Sequence, residues 1–414
     1  AYQVMQVAEQ LREATALDCL KLLHFHRGSQ LPNIRDLRSA TTEACRFYCG
    51  LVEEGAPMGM LDLGGGLAVD YDGSHTNSDS SCNYTITEYA RDMIEVVKGV
   101  LDEAGHRHPT VVTESGRATV AYYSVLLFNI LDVGRLAVAG DIPKLPEDAH
   151  ELTRNIWDTA NSVRTRNLQE CFHDALYYRD EIRTLFRHGS VSIRERATVE
   201  EIFWYVMLTI QEKLKKVRRP PRDLENLDSA LADIYYGNLS VFQSLPDSWA
   251  IDQLFPVMPI HRLKEQPIRD GIIADITCDC DGKIDRFIDQ HEMRRTLKLH
   301  EWKPDEEYVL GAFLVGAYQE TLGDLHNLFG DPHVVGVRFD ESGAVEYFHE
   351  LEGDSVADVL EYVEYDAKKM ERRFREKAEL AVKKEVITGR ERKSLMLAYQ
   401  DGLRGYTYHE PESP

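Results

Sequence analysis

The chain has 414 residues, 43% of them hydrophobic and 29% charged, which excludes a disordered or fibrous chain and leaves room for two or three domains. Its 48 basic against 70 acidic residues give a net charge of −22, a field that repels phosphate backbones and anionic lipid, so neither nucleic acid nor a membrane is expected as a partner. Seven scattered cysteines are too few for a disulfide scaffold, and no apolar run reaches the ~18 residues of a membrane span; a reducing, cytoplasmic location is expected.

In chain order, residues 3–18 have helical spacing and lead into the apolar run Leu20-Lys21-Leu22-Leu23-His24-Phe25-His26, which ends in Arg27-Gly28-Ser29. Residues 33–54 are helical again, and Met60-Leu61-Asp62-Leu63 ends in Gly64-Gly65-Gly66. Ile86–Ala104 is helical, and Thr110-Val111-Val112-Thr113 ends in Glu114-Ser115-Gly116-Arg117. Three short strands, each closed by polar or glycine-rich loop chemistry, predict a parallel α/β architecture. In a (β/α)8 barrel the reacting groups sit at the C-terminal strand ends. A barrel needs eight strands and three or four are visible, so residues 1–140 read as the second half of one. Residues 122–139 read as a long strand leaving it.

Residues 141–225 read as a helical-bundle insert. Leu152, Ile156, Ala160 and Val163, then Leu168, Phe172 and Leu176, then Ile202, Val206, Ile210 and Leu214 recur at helical spacing. Arg218-Arg219-Pro220-Pro221 ends it, because Pro-Pro cannot continue a helix. Residues 226–352 read as a β-rich, β-barrel-like domain, with strands expected at 272–277, 286–289, Leu297–Leu299, 308–318, Val334–Phe339 and Val345–Leu351. Residues 353–414 form a charged helical tail. The fold class is therefore α/β plus β.

Glycines 64, 65 and 66 let backbone N–H groups approach an anion closely, although a tight strand-to-helix turn accounts for them equally well. Ser29 and Arg117 hold equivalent strand-end positions, so three loops converging on a phosphate would supply amides, a hydroxyl and a guanidinium. No GxxxxGK[ST] or GxGxxG motif occurs. Glu114 is either the internal ion-pair partner of Arg117 or the partner of a protonated heterocycle nitrogen. His26 is either a satisfied strand-end histidine or an imidazole face stacked on a flat cofactor. Thr277-Cys278-Asp279-Cys280-Asp281-Gly282 lacks the second Cys/His pair of a zinc site and runs out of EF-hand register at Gln290 and Glu292. It reads better as a proton donor beside a site for a cationic substrate.

Taken in order, His24-Phe25-His26-Arg27-Gly28-Ser29-Gln30, Asp62-Leu63-Gly64-Gly65-Gly66-Leu67-Ala68-Val69-Asp70-Tyr71-Asp72-Gly73, Glu114-Ser115-Gly116-Arg117, Cys278-Asp279 and Gly316-Ala317-Tyr318 resemble the pyridoxal-phosphate-dependent decarboxylases of the alanine-racemase-like fold type, which include ornithine and diaminopimelate decarboxylases. Residues 243–253, 314–331 and 402–408, with the helical insert and tail, resemble the biosynthetic arginine decarboxylase branch. The resemblance implies a pyridoxal-phosphate-binding half-barrel in which His26 stacks on the pyridine ring. It gives the phosphate to Ser29, Gly64, Gly65, Gly66, Arg117 and Tyr318, and the ring nitrogen to Glu114. It makes Cys278 the proton donor and Asp279 the substrate carboxylate, both reaching a partner subunit's site in a homodimer or higher homo-oligomer. Asp281 is a candidate for the guanidinium.

The implied reaction is L-arginine to agmatine and CO2, at the start of putrescine and polyamine synthesis. The implied cofactors are pyridoxal 5'-phosphate and Mg2+, the latter with no site identified. Decarboxylation of ornithine, lysine or diaminopimelate is the alternative within the class, and a non-catalytic partner subunit the rival outside it. The family's Schiff-base lysine has no counterpart at a strand end, since Lys21 reads as lying inside an apolar strand. It is expected upstream of Ala1 in a missing N-terminal half-barrel, leaving residues 1–414 inactive by themselves.

Overall fold

The computed structural model describes residues 1–136, 141–224, 226–289 and 293–410. Helix α1 (Tyr2–Glu13) leads to β1 (Leu22–His24), α2 (Ile34–Glu53) to β2 (Met60–Asp62), and α3 (Ile86–Ala104) to β3 (Thr110–Val112). The three strands pair in parallel in the order β1-β2-β3, with Leu22 opposite Met60 and Met60 opposite Thr110. Side chains alternate along a strand, so Leu23, Leu61 and Val111 share the face that packs on Cys45, Tyr48, Met93, Val97 and Leu101 of α2 and α3. Completely burying residues such as Leu61 and Leu101 contributes roughly 1.5–3 kcal/mol each. On the other face Leu22 and Met60 remain 38% and 37% exposed. Helix α3 spans its expected range because Thr85 and Glu88 form a capping box at one end and Gly105, at φ +70°, turns the chain at the other.

After the short α4 (Gly116–Val120), β4 (Val125–Gly134) joins a second sheet. Residues 137–139 of the strand expected there lie outside the described residues, as do the expected domain boundaries at 140 and 225. Three helices follow, α5 (Glu151–Ser162), α6 (Leu168–Arg187) and α7 (Ile193–Leu214). Ile156, Ala160, Cys171, Ile182, Ile202, Val206 and Ile210 form their common core, with Leu152, Phe172, Leu176 and Leu214 packed against it. The insert is therefore helical, as its periodicity indicates.

Beyond the four-residue α8 (Leu227–Ala230) come β5 (Asp233–Gly237), α9 (Val241–Ser244) and α10 (Pro246–Ala250). The remaining strands of the second sheet are β6 (Val257–Pro259), β7 (Arg269–Ala274), β8 (Lys283–Ile284), β9 (Leu297–Leu299) and β10 (Val309–Phe313). They pair in the order β6-β10-β4-β5-β7-β8, with β9 also on β7; only β5–β7 is parallel. Tyr235, Ile273, Leu299, Leu310 and Ala312 are fully buried in a core that also takes Val69, Tyr71 and Ala121 from the first region.

Two expected strands differ. At 286–289 only Phe287 pairs, in a two-way bridge with Arg294, while Asp285 and Arg286 are engaged in side-chain ion pairs with Lys283 and Asp252. The run 308–318 stops at Phe313 because Leu314 and Tyr318 adopt φ of +62° and +71°. The short α11 (Gln319–Leu322) then leads to a turn at residues 326–331.

A hairpin of β11 (Val334–Phe339) and β12 (Val345–Leu351) precedes α12 (Val356–Tyr362), α13 (Ala367–Lys383) and α14 (Gly389–Arg404). The chain after α14 folds back onto the turn. Thr407 Oγ1 accepts the Gly330 N–H at 3.1 Å, and the Tyr408 hydroxyl donates to the Gly330 carbonyl at 2.8 Å. No helix of the described residues is long and apolar enough to cross a membrane.

Candidate active site

The loops following β1, β2 and β3 converge at the C-terminal edge of the small sheet. Gly64 has φ +65°, and a Cβ there would collide with the Phe25 carbonyl oxygen. Gly66 has φ +98°, and a Cβ there would lie 2.6 Å from the Gly28 carbonyl oxygen. Only glycine lets the second loop lie so close to the first. The Gly64 carbonyl accepts the Glu114 N–H at 2.9 Å, and the Gly65 N–H donates to His26 Nδ1 at 3.2 Å. His26 and Glu114 are both exposed at this junction. That hydrogen bond leaves the ring proton of His26 on Nε2 and fixes the imidazole against the glycine loop. Asp62, at the end of β2 and 8% exposed, anchors the loop from below: Oδ1 accepts the Gly64 N–H at 2.9 Å, while Oδ2 pairs with His24 Nδ1 at 2.8 Å.

Arg117 lies in the first turn of α4 and is 6% exposed. It does not form the internal ion pair with Glu114. Nη1 instead donates to the Tyr71 hydroxyl at 2.8 Å, and Nη2 reaches Ser29 Oγ at 3.4 Å. The guanidinium carbon stands 4.9 Å from the Tyr318 ring centroid, and Asp247 Oδ2 lies 3.9 Å from Nη2. Asp247 is itself held by Gln319, which donates to Oδ2 at 2.8 Å and accepts the Asp247 N–H at 3.1 Å. Burial pushes the Tyr71 hydroxyl above the usual phenol range against the opposing charge of Arg117.

Arg117 Nε is buried with no hydrogen-bond partner among the described residues. An unmatched buried donor of a charged group costs more than a kilocalorie or so, on the order of 1–3 kcal/mol. The Gly64 and Gly65 amides expected to hold a phosphate are taken by Asp62 and His26. A phosphate oxygen between Ser29, the Gly66 amide and this guanidinium would still satisfy Nε, so the remaining residues fit the phosphate group that the resemblance implies. The Tyr318 hydroxyl lies 3.9 Å from the position of a Gly116 Cβ, on the rim of the same junction.

A second group is built on the loop after β7. Asp275, buried at 4% exposure, accepts from the N–H groups of Val241 and Thr277 and from the Thr277 hydroxyl at 2.7–2.9 Å. Burial raises its carboxyl above the ordinary range even so. Cys278, Asp279 and Asp281 are all exposed. Cys278 N–H and Sγ face Asn327 Oδ1 at 3.3 and 3.7 Å, and Asp279 Oδ2 is 3.8 Å from His326 Nε2. Asp281 opens onto a cleft of about 340 Å3 lined by Trp249, Asp252 and Arg286. Among the described residues no hydrogen bond, ion pair or ring contact joins this loop to the group of His26, Glu114 and Arg117.

The magnesium implied by the resemblance finds no fitting site among the described residues. His24, Asp62 and Glu114 bring ligand atoms within 4.8 Å, but His24 and both Asp62 oxygens are already hydrogen-bonded within the protein. Asp279, Cys280 and Asp281 form an exposed trio that includes a soft thiol, unlike the oxygen octahedron Mg2+ demands. Lys21 needs a correction: it lies just before β1, exposed, at the end of the strand away from His26, not inside it.

Several site residues were not singled out from the sequence. Tyr71, Asp247, Gln319, His326 and Asn327 all fall inside the strings that carry the resemblance, so those strings held the signal without assigning the roles. Asp62 was legible as a carboxylate two residues before a triple glycine.

Three family models match in succession: the pyridoxal-dependent decarboxylase pyridoxal binding domain over residues 2–121, the arginine decarboxylase helical bundle domain over 146–228, and the arginine decarboxylase C-terminal helical extension over 356–409. The biosynthetic arginine decarboxylase of Thermosynechococcus vestitus is 46% identical over 98% of this chain and 63% of its own length. That of Nostoc sp. is 44% identical over 98% of this chain and 60% of its own. The crystal structure of the biosynthetic arginine decarboxylase SpeA from Campylobacter jejuni matches with a TM-score of 0.81 at 31% identity, over 98% of this chain and 66% of that one. The chain thus spans about 60–66% of the length of these relatives.

Proposed function

This chain belongs to the biosynthetic arginine decarboxylase family, and on that premise we propose that it carries the phosphate, ring and acid–base groups for pyridoxal-phosphate-dependent conversion of L-arginine to agmatine and CO2, a first step of polyamine synthesis in the cytoplasm. The observation that carries this reading is the unpartnered, buried Nε of Arg117 beside a cradle that only glycine can form.

When bound, the cofactor supplies an electron sink for the pair left as the substrate carboxylate departs. Arg117, Ser29 and the Gly66 amide hold its phosphate, with the Tyr318 hydroxyl added from the rim, while Gly64 and Gly65, whose amides are taken by Asp62 and His26, shape the loop. Glu114 keeps the proton on the ring nitrogen by placing a full negative charge beside it. His26, held by the Gly65 N–H, covers one ring face. Asp279 pairs with the cationic substrate and Asp281 with its guanidinium. As the Cα–carboxylate bond breaks and CO2 leaves, the Cys278 thiol gives its proton to that carbon. Because among the described residues no hydrogen bond, ion pair or ring contact joins the 277–281 loop to the His26–Arg117 group of its own chain, the reading assigns it to the site of a second copy in a homodimer.

Assays with L-arginine, L-ornithine and L-lysine, reading CO2 and amine release, test the proposal. No described lysine bonds to a residue of the phosphate cradle, so residues 1–414 by themselves are expected to release no agmatine. Supplied with the upstream barrel half of a relative, they should turn over arginine with kcat/KM at least ~100-fold above ornithine, the scale expected when a polar recognition group is left unmatched. Comparable values for ornithine would overturn the substrate assignment.

A further inference from the structure

Cys278 and Asp279 face a turn whose residues have no assigned part in the chemistry. We propose that Asn327 is a positioning residue that holds the Cys278 thiol with its hydrogen on sulfur, ready to be given away. The proposal rests on the reading of Cys278 as a proton donor and adds the group that prepares it.

The geometry is specific. Asn327 Oδ1 accepts the Cys278 backbone N–H at 3.3 Å and stands 3.7 Å from its Sγ. One residue earlier on the turn, His326 Nε2 lies 3.8 Å from Asp279 Oδ2, and the His326 ring packs on Phe242 with centroids 4.4 Å apart. Two consecutive residues of the reactive loop thus face two consecutive residues of the turn. Asn327 itself has φ +57° and Leu328 φ +59°. Asparagine enters the left-handed region more readily than residues with a branched or bulky side chain, so it is suited to this backbone. Three positions on, Gly330 is clamped by Thr407 and Tyr408, and Asp331 accepts from Gln243 at 2.5 Å. The turn is therefore held at both ends, and Asn327 is fixed rather than free to swing.

An amide oxygen only accepts hydrogen bonds, so its contact with Sγ requires the hydrogen to be on the thiol. The charged and titratable groups around the pair are Asp279 and Asp281 on the same loop, Asp275 beneath it and His326 on the turn. None of these makes a hydrogen bond to Cys278 Sγ. Asn327 is the polar partner the thiol has.

The test uses the full chain and follows iodoacetamide alkylation of each cysteine by peptide mass spectrometry at mildly alkaline pH. Cys19 and Cys280, also exposed, serve as internal controls for folding. Asn327→Gly and Asn327→Asp both accept the left-handed backbone, so neither should disturb the turn. A glycine removes the acceptor, and alkylation of Cys278 should speed up by about threefold or more. A carboxylate in the same place repels the thiolate that alkylation requires, and the rate should fall by about threefold or more. A role confined to holding the loop would raise the Cys280 rate in Asn327→Gly along with that of Cys278, since both thiols ride on the same loop. That result, or an unchanged Cys278 rate in Asn327→Gly, overturns the proposal. The readout needs neither cofactor nor arginine, so the expected order of rates, beside a failure to decarboxylate arginine once the upstream barrel half is supplied, would sink the decarboxylase reading and leave the Asn327 contact standing.

Discussion

Glu114 and Arg117 lie three residues apart and have opposite charges, yet they divide the work instead of pairing. Arg117 turns inward to Tyr71, Ser29 and the Tyr318 ring, and Glu114 stays exposed beside Gly64. A free carboxylate can therefore meet a ring nitrogen without first breaking an ion pair. Glu114→Gln keeps the shape and removes the charge. In the completed enzyme kcat should fall at least ~100-fold, as when one preorganised electrostatic group is lost. The cofactor's absorbance should stay with the protein; an activity loss that tracks cofactor release would contradict the role. The residues proposed to hold the ring and phosphate were legible because most of them lie just after β1, β2 or β3. Their supports, Tyr71, Asp247 and Asn327, were not, because each meets its partner only after distant segments pack.

Among elements, those with local determinants were legible and those fixed by long-range contacts were not. The range of α3 follows from a capping box and a C-terminal glycine, both written in neighbouring residues. The end of β10 follows from left-handed backbone at Leu314 and Tyr318, which nothing in the run 308–318 announces. The β7–α9 junction carries a pH signature. Burial raises the Asp275 carboxyl while it holds the Val241 and Thr277 amides. The folded state thus keeps a proton that the unfolded chain loses near the ordinary aspartate value of about 4. With more protons bound in the folded state, stability falls as pH rises from that value through the raised one. Asp275→Asn should remove this slope in unfolding free energy measured across that window. It should also cost about 1–3 kcal/mol at pH values below it, because an amide N–H2 then faces a backbone donor. A slope unchanged by the substitution would show that another group carries it.

At the scale of the whole molecule, the two proposed halves of the site sit on separate pieces of one chain. The glycine loop proposed to hold phosphate is on the small parallel sheet, and the thiol loop is on the second sheet, braced by the turn after α11. The brace depends on the segment after α14: Ser355 bridges Tyr406, His333 stacks on Tyr406 at 4.0 Å, and Thr407 and Tyr408 hold Gly330. Deleting residues 405–414 should free the turn and raise the alkylation rate of Cys278 by about threefold or more, with far-UV circular dichroism nearly unchanged. At a net ~1 kcal/mol per hydrogen bond, losing the two bonds to Gly330 is enough for that change. An unaltered Cys278 rate would show that the turn holds its own shape.

The bond from Tyr408 to Gly330 spans 78 positions. Translation advances at about 5–20 residues per second, so a ribosome that has just delivered Gly330 needs roughly 4–16 s more to deliver the tyrosine that locks it. The described strands and helices of the small sheet all precede Gly330 and are available long before that. The nascent chain thus completes the glycine loop of the small sheet early and the bracing of the Cys278 loop late. Through that interval the exposed thiols of Cys278 and Cys280 ride on a loop that still lacks this brace.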